Sequence, residues 1–126
     1  MKKERKDTLI EKFEEAFQRL EEAIKERPTQ MNKDATIQRF EFTFELSWKA
    51  AQAFLKDQGI VCKSPRDCFR KSADYGLIKS PTPWFDFLKA RNNIAHTYNQ
   101  KMADRIYKKA IKFPNFAEKL LKNLKE

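Results

Sequence analysis

The sequence predicts an all-α protein, an antiparallel up-and-down bundle of four to five helices. Only two of its 126 residues are glycine, Gly59 and Gly76, while the helix formers Lys, Glu, Leu and Ala are abundant. Apolar residues make up 40% of the chain, eleven of them Phe, and they recur at helical spacing. Proline and glycine fall where that spacing breaks. The length suits one domain over residues 1–126, large enough for a real core.

The first helix is expected from about Asp7, a candidate cap, to Arg27, where Pro28 stops it. Leu9, Phe13, Phe17, Leu20 and Ile24 form its apolar stripe, and its Glu- and Lys-rich outer face reads as solvated. The second is expected from about Asp34 to Gln58, with Gly59 as its stop. Phe40, Phe42, Phe44 and Leu46 alternate as a strand would. The helical frame Ile37, Phe40, Phe44, Trp48, Ala51, Leu55 continues past both ends and decides for helix. Phe42, Leu46 and Phe54 lie off that stripe, which implies burial on more than one side, at the bundle centre or a subunit contact.

Ser64-Pro65 is an N-cap followed by Pro at the first helical position, and the short helix it opens ends near Tyr75 at Gly76. Pro81-Thr82-Pro83 repeats the device, with Thr82 as cap and Trp84, Phe87 and Leu88 facing inward; this helix delivers Arg91 at its C-terminal end. The last helical region spans about Gln100 to Lys125 and must kink or split at Pro114. Its buried side is marked by Ile106, Ala110, Ile111, Phe116, Leu120, Leu121 and Leu124.

The charge is lopsided. Residues 1–58 hold 12 Lys+Arg and 12 Asp+Glu, whereas residues 59–126 hold 15 and 6, so the whole excess of +9 sits in the second part. A one-sided basic field attracts RNA or an acidic protein partner, although Lys-rich helices also serve solubility. No apolar run approaches the roughly 20 residues of a membrane span, and no apolar signal core follows the charged N-terminus Met1–Lys6. A cytoplasmic location is therefore expected. Cys62 and Cys68 lie too far apart for a usual zinc pair, and no second pair or nearby His completes one. They read as reduced thiols.

The chemistry concentrates in Arg91-Asn92-Asn93-Ile94-Ala95-His96-Thr97-Tyr98, which holds the only histidine of the chain. His can take and give a proton near neutral pH, and Arg can grip a phosphate with two hydrogen bonds. Metal-free RNA cleavage needs a base, an acid and a cation to steady the phosphorane. His96 supplies the first or second and Arg91 the third. Asn92 or Asn93 can hold a phosphate oxygen, and Tyr98 can stack on a base.

Geometry constrains this kit. On one straight helix Arg91 and His96 would sit about 140° apart, so the backbone must break near Arg91 or the Arg arm must wrap around. One His cannot be both acid and base, and a two-fold dimer would supply a second. A lone His near a helix start also commonly caps or packs. Glu41 and Glu45 are expected to pair with Arg39 or Lys49. Neither a phosphate-binding Gly-rich loop nor a carboxylate pair at metal spacing occurs, so no cofactor or metal is expected, and the chain carries no nucleotidyltransferase signature of its own.

Arg91-Asn92-x-x-x-His96-x-Tyr98 resembles the Arg-x4-His-x-Tyr motif of the HEPN superfamily. Arg39–Lys49, Ser64-Pro65-Arg66 and Trp84–Lys89 resemble its branch of nucleotidyltransferase substrate-binding proteins, over about residues 8–124. The resemblance implies a HEPN-like bundle, usually a homodimer with the motif near the dimer cleft, and a minimal nucleotidyltransferase as partner. It further implies a metal-independent ribonuclease toxin with Arg91 and His96 catalytic, Asn92 as the polar companion, and Tyr98 as the site where the partner attaches adenylate and silences it. The alternative it also implies is a non-catalytic subunit that binds substrate for the transferase.

Overall fold

A computed structural model describes residues 4–126; the first three residues of the charged N-terminal run lie outside them. Six α-helices and one 3₁₀ turn follow in order among the described residues: α1 (Arg5–Lys25), α2 (Gln30–Asp57), α3 (Pro65–Tyr75), α4 (Thr82–Asn92), the turn Ile94–His96, α5 (Gln100–Ala110) and α6 (Phe113–Lys125). The all-helical expectation holds. The count exceeds four to five because the last region splits in two, with Pro114 in the first turn of α6.

Helix ends depart from the expected ones where capping chemistry lay upstream. Thr29, not Asp34, opens α2, its side chain accepting from the Asn32 amide at 3.1 Å. The first helix begins before Asp7, and its leading residue Glu4 makes no side-chain cap. Ser64 caps α3 as expected, accepting from Asp67 N at 3.2 Å, and Gly76 ends it with φ 102°, a left-handed conformation natural to glycine. At α4 the hydroxyl beside the start is that of Ser80, which accepts from Thr82 N at 3.3 Å.

Contacts between α1 and α2 run in opposite order along the two helices, so the pair is antiparallel. Asn32 donates to Ala23 O, Arg39 to Arg19 O and Thr43 to Ala16 O, and Lys6 pairs with Asp57 at the far end. The four-residue connection leaves no other arrangement easy. Helix α6 lies against both, with Lys125 paired to Glu14.

The centre is aromatic. Phe113 contacts Phe40 (5.3 Å between ring centroids), Phe44 (6.0 Å), Trp84 (5.4 Å) and Phe87 (5.0 Å), tying α6 to α2 and α4. Phe113 is fully buried while Ile111, expected inside, is exposed: the chain turns at Ile111 and Lys112, so the inward position falls two residues later. Phe42 stays 54% exposed on the outer face of α2.

The cysteines are corrected. Cys62 and Cys68 form a disulfide, with their Cα atoms 5.1 Å apart, inside the core. The chain reverses between Gly59 and Ser64, so the first turns of α3 swing Cys68 back against Cys62. A reading by zinc spacing and compartment does not consider that turn. No helix among the described residues is long and apolar enough to cross a membrane.

Candidate functional site

Helix α4 is fixed by Trp84, Phe87, Leu88 and Ala90, all buried, and it stops at Asn92. The Asn93 amide closes it, donating to Ala90 O at 3.1 Å. One 3₁₀ turn follows, held by His96 N to Asn93 O (2.9 Å) and by the Thr97 hydroxyl donating to Ile94 O (2.9 Å). Ile94 packs inward against both core clusters, and Asn99 then caps α5 by accepting from Met102 N at 3.2 Å. The backbone therefore breaks just after Arg91, the first of the two options left open by helical geometry. Residues 93–99 form a short bridge pinned at both ends.

Arg91 is half-buried and engaged. Its Nε donates to Glu45, its Nη2 pairs with the same carboxylate, and its Nη1 donates to Asn92 Oδ1 at 2.9 Å. The second Glu45 oxygen accepts from Trp48 Nε1 at 3.2 Å. Behind the guanidinium lies the Phe44 ring, 6.0 Å to its centroid. Glu45 thus serves Arg91 rather than Arg39 or Lys49, and Arg39 donates instead to Arg19 O at 2.7 Å. Glu45 and Trp48 are the residues of this site that sequence reasoning missed. The only sequence signal was a carboxylate on an otherwise core-building helix.

His96 and Tyr98 belong to a different pair. Both are exposed, Tyr98 by 87%, with ring centroids 6.2 Å apart edge to face. Among the described residues neither has a side-chain hydrogen-bond partner, and no hydrogen bond or ring contact joins them to Arg91. Asn93, half-buried, faces a separate cleft between α4 and α5. The structure therefore brings Arg91 to Asn92 at the end of α4, and His96 to Tyr98 on the bridge that follows. The described residues contain no group of three or more His, Cys, Asp or Glu placed to hold a metal ion.

Residues 8–126 match the family model described as nucleotidyltransferase substrate binding protein like. A solved protein from Thermus thermophilus is 32% identical, with 90% of this chain and 99% of that one covered and a TM-score of 0.85. HI0074 from Haemophilus influenzae is 25% identical, covers 93% of this chain and 99% of its own, and superposes with a TM-score of 0.80. Its structure is described as revealing the fold of a substrate binding domain of a nucleotidyltransferase. No curated protein matches this chain.

These matches overturn the expectation of an endoribonuclease. The description of the family, like that of HI0074, is of substrate binding for a nucleotidyltransferase. The chain belongs to the nucleotidyltransferase substrate-binding protein family.

Proposed function

We propose that this chain is the non-catalytic, substrate-binding subunit of a two-component nucleotidyltransferase, working beside a minimal nucleotidyltransferase that carries out the transfer. The observation that carries this reading is the family match over residues 8–126. The geometry supports it. The Glu45–Arg91–Asn92 cluster is a strut between α2 and the end of α4, and it holds the 93–99 bridge in place. That bridge offers His96 and Tyr98 outward to a partner.

The 87% exposure of Tyr98 favours a second use of the same surface, in which its hydroxyl is itself an acceptor. The phenol oxygen would bond to the α-phosphorus of a nucleoside triphosphate, its proton would pass to solvent or to the neighbouring imidazole, and pyrophosphate would leave. The added phosphate would place a negative charge beside His96.

The test is to mix the chain with the minimal nucleotidyltransferase of its own genome and ATP. The mixture is then followed by gel filtration and by mass spectrometry of the tryptic peptide containing Tyr98. A co-eluting complex that weakens at least tenfold in the double variant His96→Ala, Tyr98→Ala supports the subunit reading. Separate elution of the two proteins would overturn it. An adenylate-sized mass on Tyr98, absent in Tyr98→Phe, supports the acceptor reading, and an unmodified peptide refutes that part alone.

A further inference from the structure

The cleft beside Asn93 has a composition that the subunit reading does not use. It is an open cleft of about 570 Å³ between α4 and α5 with the turn after it, within the size range of small-molecule sites. Lys89 stands on one wall and Arg105, Lys108, Lys109 and Lys112 on the other; spacings of three and four put Arg105, Lys108 and Lys109 on one face of α5, and Lys112 sits in the turn after it. Asp86 is the only carboxylate among the lining residues. None of the five cations has a carboxylate partner within ion-pair distance among the described residues, unlike Arg91. The floor is apolar, made by Ala90, Met102 and Ile106, and Asn93 adds an amide that can donate and accept.

Favourable placement at helix C-termini accounts for Lys89, Lys108 and Lys109, which sit in the last turns of α4 and α5. It does not account for Arg105, in mid-helix, and it is divided at Lys112, which follows the C-terminus of α5. Lys112 precedes the N-terminus of α6, where the dipole is positive, and α6 has no side-chain cap. Five cations gathered without a carboxylate partner create a positive field that an anion relieves.

We propose that this cleft binds a nucleoside triphosphate, its phosphates among Arg105, Lys108, Lys109 and Lys112, and its nucleoside over Ala90, Met102 and Ile106 within reach of Asn93. The oligophosphate is read from the cleft alone; the choice of a nucleotide rests on the reading of the chain as a transferase subunit. A short cleft with an apolar floor favours one nucleotide over a strand of nucleic acid, which needs an extended track.

Calorimetric titration of the full chain with ATP, without the transferase, tests this. ATP is expected to saturate one site in the micromolar range, with AMP at least tenfold weaker because most of the charge is gone. Both Lys108 and Lys112 are exposed, so the double reversal Lys108→Glu, Lys112→Glu leaves the core intact; it should weaken ATP at least tenfold. Lys25→Glu, at the end of α1, should leave it unchanged. Absence of saturation, or ATP binding indifferent to the double reversal, overturns the site. Inorganic triphosphate binding as tightly as ATP overturns the nucleoside part. A single-stranded oligonucleotide that displaces ATP at equal phosphate concentration reassigns the cleft to nucleic acid. Because no transferase is present, failure here leaves the subunit reading standing, and failure of complex formation leaves this site standing.

Discussion

Arg91 is held by three partners, and its replacement exposes what each of them does. Its side chain is 27% exposed and that of Glu45 is 28%, so the pair is shielded enough for its loss to register. Arg91→Ala leaves the Glu45 carboxylate without its counterion and is expected to cost about 1–3 kcal/mol in urea unfolding. Adding Glu45→Gln should restore part of that loss, because the stranded charge is removed; a fully additive double variant would refute the strut. The exposed rings behave differently. His96→Ala and Tyr98→Ala are each expected to shift stability by no more than about 0.5 kcal/mol, so any loss of partner binding belongs to the surface and not to folding. The run Arg91–Tyr98 was legible as a concentration of polar chemistry because it is contiguous. Glu45 was not legible as its partner. The local rule for a helix offers Arg39 or Lys49, and only the packing of α2 on α4 brings Arg91 within reach across 46 positions of sequence.

Helix ends carry a second set of expectations. Thr29→Ala removes the acceptor for the Asn32 amide and should cost about 1 kcal/mol. Phe113→Ala opens the middle of the aromatic cluster, where four rings meet it, and should cost about 3–5 kcal/mol, measured by the same unfolding midpoint. The punctuation at Ser64-Pro65, Gly76 and Pro114 was readable because each residue acts locally, Ser64 through its capping hydroxyl and the others through their own backbone geometry. The start of α2 was harder. Its first turn, Gln30–Lys33, carries no apolar period, so a pattern search begins at the stripe and overlooks the cap upstream. The same bias chose Ile111 over Phe113. The 3.6-residue frame runs on unbroken in sequence, whereas the chain resets it at the turn between α5 and α6.

At the scale of the molecule, the fold class followed from composition and period, while two features depended on the closed chain. One is the Cys62–Cys68 bridge, formed across a turn that no spacing rule anticipates. Closing so short a loop constrains the unfolded chain modestly, so reduction, or Cys68→Ser, should lower stability by about 2 kcal/mol in denaturant with and without dithiothreitol. The other is the basic excess. Its concentration after residue 58 was visible in the sequence, but the α4–α5 cleft that gathers five of those cations required the helices to be placed. The resemblance in residues 8–124 pointed to two functions. The family match favours the one in which the chain binds substrate for a nucleotidyltransferase. The most direct test is the rate of pyrophosphate release from ATP by the minimal nucleotidyltransferase alone, by this chain alone, and by the two together with a cell extract as acceptor source. No release is expected by the chain alone, and the mixture is expected to run at least tenfold faster than the transferase alone. A mixture no faster than the transferase by itself would contradict the subunit reading.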